Sequence, residues 1–234
     1  MLKQGRVSRI VIIDEKAIKK YKANQFGSYG EWLRDKSVIF IGPAAYYDEP
    51  EELDYDVVVR VNHGYKDAGR TDVLYINNLM LREQDHITDL AARIDGISWV
   101  VTKHRLLLEK AKRKHVEISA INTMSLENYF VTQARRKIAR GHSAGTTPNT
   151  GLIAIEHLLK NPIQSLSIRG VDCYETGYYE NYSTLYPEMD SEVIEHMKME
   201  TRHDQYKHKT YYRRFIIPDK RVDIDDTFRA VLGL

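Results

Sequence analysis

Short apolar runs rich in β-branched residues alternate with longer amphipathic stretches along most of the chain. Two of these runs, SVIFIG at residues 37–42 and YDVVVRV at residues 55–61, are almost continuously apolar instead of alternating with polar residues. This composition is typical of strands that are covered on both faces, and it indicates a parallel sheet between helices. The predicted strands are residues 9–13, 37–41, 56–61, 72–76, 98–102, 116–121, 165–169 and 221–224.

Five longer stretches separate these strands and have the spacing of apolar residues that a helix requires. They are residues 15–23, 79–94, 125–139, 150–160 and 190–215. Strands that alternate with helices predict a doubly wound α/β fold, Rossmann-like, with a mostly parallel sheet and helices on both faces. No repeat, low-complexity tract or linker interrupts the sequence, so we expect residues 1–234 to form a single domain.

The segment of residues 174–190, YETGYYENYSTLYPEMD, contains five tyrosines and has neither a helical nor a strand period. It directly follows a predicted strand. Long loops at this position often bind ligands in α/β proteins, so a ligand-binding loop is one interpretation. An aromatic loop that merely packs on the surface is the alternative.

The composition is that of a soluble globular protein, with 234 residues of which 42% are apolar. The formal net charge of +2 gives no overall field that would favour nucleic acid, so no nucleic-acid partner is expected. Basic residues cluster in residues 103–115, 135–142 and 202–221, which we interpret as solvated surfaces.

The cysteine count and the N-terminal sequence favour a cytoplasmic protein. Cys173 is the single cysteine, which excludes an intrachain disulfide and favours a reducing compartment. The apolar run at residues 10–13 is too short for a signal peptide or a membrane span. The sequence carries no information on the oligomeric state.

Two short patterns resemble known motifs. GYKDAGRT at residues 64–71 matches a P-loop except for Arg70, but a strand follows it where a P-loop requires a helix, so we reject it. GHSAG at residues 141–145 fits the nucleophile elbow of a serine hydrolase, and Asp172 and His203 follow Ser143 in the right order. A nucleophile elbow requires a strand before it and a helix after it, whereas here a predicted helix precedes the pattern and a predicted loop follows it. The serine hydrolase is therefore kept only as an alternative.

Metal chemistry has little support in the sequence. Asp223, Asp225 and Asp226 form a D-x-D-D run of the kind that binds a divalent cation, but a solvated strand end is the favoured interpretation. A lone cysteine excludes a cysteine-rich zinc site, and the nine histidines form no zinc-binding pattern on a helix. We therefore expect neither a metal nor a cofactor.

Seven segments occur in the order and approximate spacing of sialyltransferase motifs. They are SVIFIG (37–42), DYDVVVRVN (54–62), DVLYINN (72–78), GHSAGTTPNTG (141–151), SLSIRGVDCY (165–174), GYYEN (177–181) and HDQYKH (203–208). DYDVVVRVN resembles the end of the large sialyl motif and TPNTG the small one. GVDCY with its tyrosine-rich loop is similar to the bacterial sialyltransferases, and HDQYKH resembles the very short motif that supplies a catalytic histidine.

The resemblance implies a GT-A-variant glycosyltransferase that transfers an acidic sugar from a CMP-sugar donor to a saccharide hydroxyl. Tyr174, with Tyr178 or Tyr179, would hydrogen-bond the leaving phosphate without a metal. His203 would be the base, with His208 in reserve, and attack opposite the departing CMP would invert the anomeric carbon. The implied donor-binding residues are Gly42, Asn62, Asn78, Thr150, Gly151, Gly170, Tyr174, Tyr178 and Tyr179, while Arg60 either joins them or only orients the sheet edge.

The chemistry of these residue types agrees with the implied roles. Amides at the N-terminus of a helix that begins at Thr150 stabilise a phosphate, and Gly151 allows close approach of the backbone. An imidazole with a pKa of about 6.5 accepts a hydroxyl proton near neutrality.

The sequence also departs from the motifs. The turn after the first motif strand is GPAA at residues 42–45 and lacks the usual asparagine, and Gly177 and His208 replace a histidine and a glutamate. The donor is therefore left open among sialic acid, Kdo and similar sugars. A nucleotide-binding module without catalysis is a third hypothesis. The lack of a disulfide or an anchor suggests a bacterial or viral cytosolic enzyme.

Overall fold

The computed structural model describes residues 26–47, 54–66, 69–77, 97–102, 119–120, 148–179, 182 and 204–234. The described helices are α1 (Phe26–Leu33), α2 (Thr150–Leu159), α3 (Gln205–Tyr211, continued by a π-helical turn over Tyr212–Ile216) and α4 (Asp226–Leu232). The described strands are β1 (Ser37–Ile41), β2 (Val57–Val61), β3 (Val73–Ile76), β4 (Trp99–Thr102), β5 (Ser119–Ala120), β6 (Ser165–Arg169) and β7 (Val222–Ile224). A 3₁₀ turn, Asn62–Lys66, follows β2.

The seven described strands form one sheet in the order β5-β4-β3-β2-β1-β6-β7. All neighbouring pairs among them are parallel. The strand order therefore advances in one direction from β1 to β5 and in the other from β6 to β7. This topology confirms the predicted doubly wound α/β fold. Its switch point lies between β1 and β6, and such folds bind ligands outside the carboxyl ends of the strands at that point.

The predicted strands agree closely with the described ones. The predictions for residues 37–41 and 165–169 match β1 and β6 residue for residue, and β2, β3, β4 and β7 each begin one residue later than predicted. The predicted helix over residues 150–160 is α2. The predicted helix over residues 190–215 is not continuous, because Asp204 is an extended N-cap, and its described helical part is α3 with its π turn. The predicted strand at 9–13 and the predicted helices at 15–23, 79–94 and 125–139 lie outside the described residues.

Burial of the central strands on both faces explains their continuous apolar runs. One face, which includes Phe40 and Val59, joins the main core together with apolar residues of all four described helices. The opposite face, with Ile39 and Val58, is also buried, and Tyr47 packs against it. Each apolar side chain that is fully buried contributes about 1.5–3 kcal/mol. Alternation with polar residues would therefore destabilise this sheet.

Helix α1 is not predicted by the sequence patterns. Its sequence FGSYGEWL contains two glycines, which are poor helix formers. Tertiary packing compensates for this, because Tyr29 and Leu33 are buried in the main core. Trp32 also lies 6.3 Å from the Tyr29 ring and carries the ammonium of Lys36 over its own ring.

Helix α4 was also missed, although its start and stop signals are present. Asp225 is the N-cap and accepts a 2.6 Å hydrogen bond from the amide of Phe228, and Gly233 ends the helix in the left-handed conformation. The carboxylate of Asp225 also accepts from the hydroxyl of Tyr46 at 2.9 Å. The interpretation of the acidic run as a solvated strand end is therefore wrong for Asp225.

A buried polar network joins α1, β3 and α2. The hydroxyl of Tyr75 lies 2.8 Å from Nδ1 of His157 and 3.2 Å from the hydroxyl of Tyr29. The Tyr29 ring stacks almost parallel on the His157 imidazole, with centroids 5.6 Å apart. Burial, with a smaller contribution from the charge of Lys160, lowers the pKa of His157 to about 3. The imidazole is therefore neutral throughout the range in which proteins are usually studied.

Acidification from pH 7 to pH 5 is expected to lower the free energy of unfolding by about 2 kcal/mol through His157 alone. In this range the unfolded chain gains a proton on a histidine of ordinary pKa, whereas the folded protein does not. The stability present above pH 6.5 is therefore lost as the pH falls toward 3. Urea unfolding of wild type and of His157→Gln at both pH values measures this effect. An equal pH dependence in both proteins would contradict it.

Candidate functional site

Two glycines bring the carboxyl ends of β1 and β6 together at the switch point. A Cβ atom on Gly42 would lie 2.2 Å from the carbonyl oxygen of Gly170, and a Cβ on Gly170 would lie 2.6 Å from that of Gly42. Gly170 also has a positive φ of 63°, which favours glycine. This close approach explains both glycines without a ligand, and their predicted contact with the nucleotide stays a prediction.

Helix α2 begins at the same edge of the sheet, and Asn149 is its N-cap. The Oδ1 atom of Asn149 accepts from the amide of Leu152 at 2.8 Å. Of the first amides, which have no acceptor within the helix, those of Thr150 and Gly151 have no acceptor among the described residues. A Cβ on Gly151 would make only ordinary contact, 3.5 Å from Phe40. No acceptor in the described part of the chain therefore competes with a ligand for these amides, and their contact with a phosphate stays a prediction.

Asn149 also connects two other segments that the motifs singled out. Its side-chain nitrogen donates to the hydroxyl of Tyr174 at 3.3 Å. Its backbone amide donates to Nε2 of His208 at 3.0 Å. The N-terminus of α2, the tyrosine-rich loop and helix α3 therefore meet at one residue.

The turn that carries Tyr174 is built around the carboxylate of Asp172. Its Oδ1 atom accepts from the amide of Tyr174 at 2.9 Å, and Oδ2 accepts from the amide and the hydroxyl of Thr176 at 2.6 and 2.5 Å. Cys173 and Tyr174 both have positive φ angles, 53° and 70°. Such conformations cost about 1–3 kcal/mol each in residues other than glycine, and they are concentrated at functional sites. Asp172 therefore holds a strained turn that directs Tyr174 toward Asn149.

We expect Asp172→Ala to lower the free energy of unfolding by about 2–3 kcal/mol, because hydrogen bonds to a buried carboxylate are among the stronger ones. Asp172→Asn retains one of the two accepting oxygens, so its free energy of unfolding should lie between those of Asp172→Ala and wild type. Urea unfolding of the three proteins measures this order of stability. A loss below about 0.5 kcal/mol for Asp172→Ala, the range of an ordinary surface substitution, would contradict this account of the turn.

The described tyrosines of the loop form a packed cluster. The ring of Tyr178 lies 6.1 Å from that of Tyr174 and 4.7 Å from that of Tyr182, and Tyr179 lies 5.1 Å from Tyr182. Tyr178 also forms a β-bridge with Ala44 in the loop after β1. Burial, followed by the neighbouring hydroxyl of Tyr174, raises the pKa of Tyr178 well above its ordinary value. The phenol of Tyr178 thus stays protonated and able to donate a hydrogen bond. Tyr182 is buried, so the cluster is part of the packed structure.

Asn62 lies at the carboxyl end of β2 with a positive φ of 48°. Its Oδ1 atom accepts from the amide of Asn77 at 3.1 Å, so it links the ends of β2 and β3. The guanidinium of Arg60 is buried and donates through Nε to the carbonyl of Arg70 at 3.3 Å, which accounts for Arg60 structurally. The contact of Asn62 with a nucleotide stays a prediction, and Asn78 lies outside the described residues.

The rejection of the P-loop is confirmed. The 3₁₀ turn and strand β3 occupy the positions where a P-loop would require a loop and a helix. Arg70, which stands at the lysine position, donates instead to the carbonyls of Tyr55 and Asp56 at 2.9 and 2.7 Å. It thereby fixes the chain just before β2.

The described contacts of His208 give it a structural role, and its predicted reserve role as base stays a prediction. His208 is 2% exposed, and its Nδ1 atom lies 2.8 Å from the carbonyl oxygen of Asp204. Because Nε2 accepts from the amide of Asn149, the proton resides on Nδ1, which donates to Asp204. Both ring nitrogens are thus engaged by backbone groups.

The start of α3 is fixed against the Tyr174 turn. Asp204 is the N-cap of α3 and accepts from the amide of Lys207 at 3.0 Å. The ammonium of Lys209 pairs with Glu175 at 2.7 Å.

The residue before this cap is His203, which lies outside the described residues together with Ser143. Asp172, the proposed third member of the hydrolase triad, is already bound to the amides of its own turn.

The sequence motifs did not identify Asn149 as the residue at which the segments meet. An asparagine directly before a predicted helix is an N-cap signal, so its helix-capping role was available from the sequence. Its two long-range contacts were not available from the sequence, because Tyr174 is 25 positions away and His208 is 59 positions away. Asp172 and Asp204 likewise carry local turn and cap signals.

The described residues contain no group of three or more histidine, cysteine, aspartate or glutamate side chains that could hold a metal ion. Asp223 of the acidic run is exposed and pairs with Arg169 at 2.6 Å. In the part of the chain that the structure describes, no helix has the length and apolar character that a membrane span requires.

No family model matches the chain, and no curated protein matches its sequence. Among solved structures, it is similar to the monofunctional α-2,3-sialyltransferase Cst-I from Campylobacter jejuni. The two have 13% sequence identity, the match covers 96% of this chain and 82% of that chain, and the TM-score is 0.54. The sialyltransferase CstII from Campylobacter jejuni, in complex with the substrate analogue CMP-3FNeuAc, has 12% identity, coverage of 81% and 78%, and a TM-score of 0.45.

At this level of identity the similarity to Cst-I establishes the fold, and the predicted resemblance is confirmed to that extent. The chain therefore has the α/β fold of a bacterial sialyltransferase.

Proposed function

We propose that this protein is an inverting, metal-independent glycosyltransferase that moves an acidic sugar, sialic acid, Kdo or a similar one, from a CMP-sugar to a saccharide hydroxyl. One observation carries the proposal. Asn149, at the N-terminus of α2, is hydrogen-bonded to Tyr174 and to His208 at the switch point of the sheet. Three segments that resemble sialyltransferase motifs are joined there, and Cst-I, which has this fold, is an α-2,3-sialyltransferase.

The leaving group would be stabilised by donors that are already in position. The charge that develops on the departing CMP phosphate would be met by the amides of Thr150 and Gly151 and by the positive end of the α2 dipole. The hydroxyls of Tyr174 and Tyr178, held by Asp172 and by the aromatic cluster, would add neutral hydrogen bonds. Fixed donors of this kind are often the largest single contribution to catalysis.

His203 would accept the proton of the attacking hydroxyl. The acceptor oxygen forms a bond to the anomeric carbon while the bond from that carbon to the phosphate oxygen breaks, and its electron pair leaves with CMP. The hydroxyl proton moves to the imidazole of His203. Attack from the face opposite to CMP inverts the configuration of the sugar.

The test is release of CMP from CMP-sialic acid and CMP-Kdo, with lactose as one saccharide acceptor, in the presence of EDTA. We expect CMP release with at least one donor, and product of inverted configuration by NMR. Calorimetry with CMP, UMP and GMP accompanies the assay, with binding expected for CMP. CMP binding without turnover of any CMP-sugar would instead identify a nucleotide-binding module. If neither CMP binding nor turnover is observed, the proposed function is wrong and only the fold assignment is retained.

A further inference from the structure

A chain of hydrogen bonds runs through His208 between the two sides of the proposed reaction. Asn149 donates to Tyr174 at 3.3 Å and to Nε2 of His208 at 3.0 Å, and Nδ1 of His208 donates to Asp204 at 2.8 Å. Tyr174 belongs to the leaving-group side. Asp204 directly follows His203, the proposed base. The chain therefore connects the residue that would bind the phosphate with the residue next to the one that would accept the proton.

We infer that His208 is a positioning residue that fixes the leaving-group side of the site relative to the base, an inference that rests on the proposed function. The imidazole does not touch substrate in this role. It holds the backbone of Asn149 at a set distance from the start of α3. Asn149 in turn sets the position of the Tyr174 hydroxyl and of the first amides of α2.

The neutral imidazole suits this position for a chemical reason. The bridge needs an acceptor for the amide of Asn149 and, on the other side of a rigid ring, a donor for the carbonyl of Asp204. Neutral histidine presents one of each. A lysine presents only donors, and a carboxylate only acceptors. Either would leave a buried backbone group unpaired, which is costly.

The bridge also acts on the orientation of Asn149. The backbone of this N-cap is extended, with φ −75° and ψ 167°, and its side chain must both cap the helix and reach Tyr174. Losing the acceptor at Nε2 would leave the amide of Asn149 unpaired and favour a rotation of this cap. Tyr174 would then lose the hydrogen bond from Asn149. A displacement of about 1 Å at such a site lowers the rate by about 100-fold.

The experiment compares His208→Leu, His208→Gln and His208→Asn with wild type, using CMP-sugar turnover and the 15N–1H spectrum. Leucine fills the space but removes both hydrogen bonds. Glutamine places an amide oxygen near the position of Nε2 and keeps the acceptor for Asn149. Asparagine is shorter and retains only the donor to Asp204.

We expect His208→Leu to lower kcat by about 10- to 100-fold while KM for the donor changes less than about threefold, because alignment is lost and ground-state binding is kept. His208→Gln should recover most of kcat and should keep the amide resonance of Asn149 near its wild-type position. His208→Asn should behave like His208→Leu. If His208→Leu does not fold, the inference is tested by whether kcat of His208→Gln exceeds that of His208→Asn.

Several outcomes would overturn the inference. A wild-type kcat in His208→Leu, or equal rates for His208→Gln and His208→Asn, would show that the bridge does not position the site. Loss of the acid limb of the pH–rate profile in His208→Gln would make His208 the base. Absence of CMP release by wild type would instead overturn the proposed function, and this inference with it.

Discussion

His203→Gln is expected to lower kcat by about 10²–10⁴-fold, the range that general acid–base catalysis contributes. Glutamine resembles imidazole in size and hydrogen bonding, but it does not accept a proton near neutral pH. Because no donor contact is assigned to His203, the affinity for CMP should stay within about threefold of wild type. The helix that follows is capped by Asp204 and should be unaffected.

The pH dependence of kcat provides a second measurement of the same substitution. The wild-type rate should fall on the acid side as the base becomes protonated, and this limb should be absent in the residual activity of His203→Gln. Tyr206→Phe is a matched control, because Tyr206 is three positions away and 67% exposed. A residual kcat above one tenth of wild type in His203→Gln would remove His203 from the proposed mechanism.

The fold was predictable because it depends on burial that the sequence displays. The runs at β1 and β6 contain residues that are buried in the interior of the sheet, and their bounds were predicted without error. The start of α2 was predicted at Thr150, where the structure has it. Helix α1 was not predictable, because its glycines oppose a helix and only its packing against Trp99 and His157 compensates for them.

The site was predictable in its segments but not in its contacts. The resemblance to sialyl motifs singled out the start of α2, the turn at Tyr174 and the segment that contains His208. It did not indicate that Asn149 would connect all three, because a hydrogen bond over 59 positions has no local signature. For the same reason His208 was predicted as a second base. Its burial and its two backbone partners are properties of the folded chain alone.

Tyr174→Phe is expected to lower kcat by about 10²–10³-fold, the cost of removing one preorganised donor from a developing anion. Phenylalanine keeps the ring that packs 6.1 Å from Tyr178 and removes only the hydroxyl. The loss should therefore fall mainly on catalysis. The free energy of unfolding should fall by no more than about 2 kcal/mol, because the hydroxyl has hydrogen bonds with Asn149 and Tyr178. The affinity for CMP should fall less than kcat, because the phosphate gains charge as it leaves.

Tyr178→Phe tests whether the two phenols act together. If both phenols donate to the same phosphate, the fold loss of kcat in the double variant should be smaller than the product of the two single losses. The reason is that one donor contributes less once the other no longer holds the phosphate in position. Steady-state kinetics and calorimetry with CMP on the three variants measure this coupling, with Tyr206→Phe again as the control. A kcat for Tyr174→Phe within threefold of wild type would show that the strained turn at Asp172 does not serve the leaving group. The N-terminal amides of α2 would then be the phosphate donors that remain.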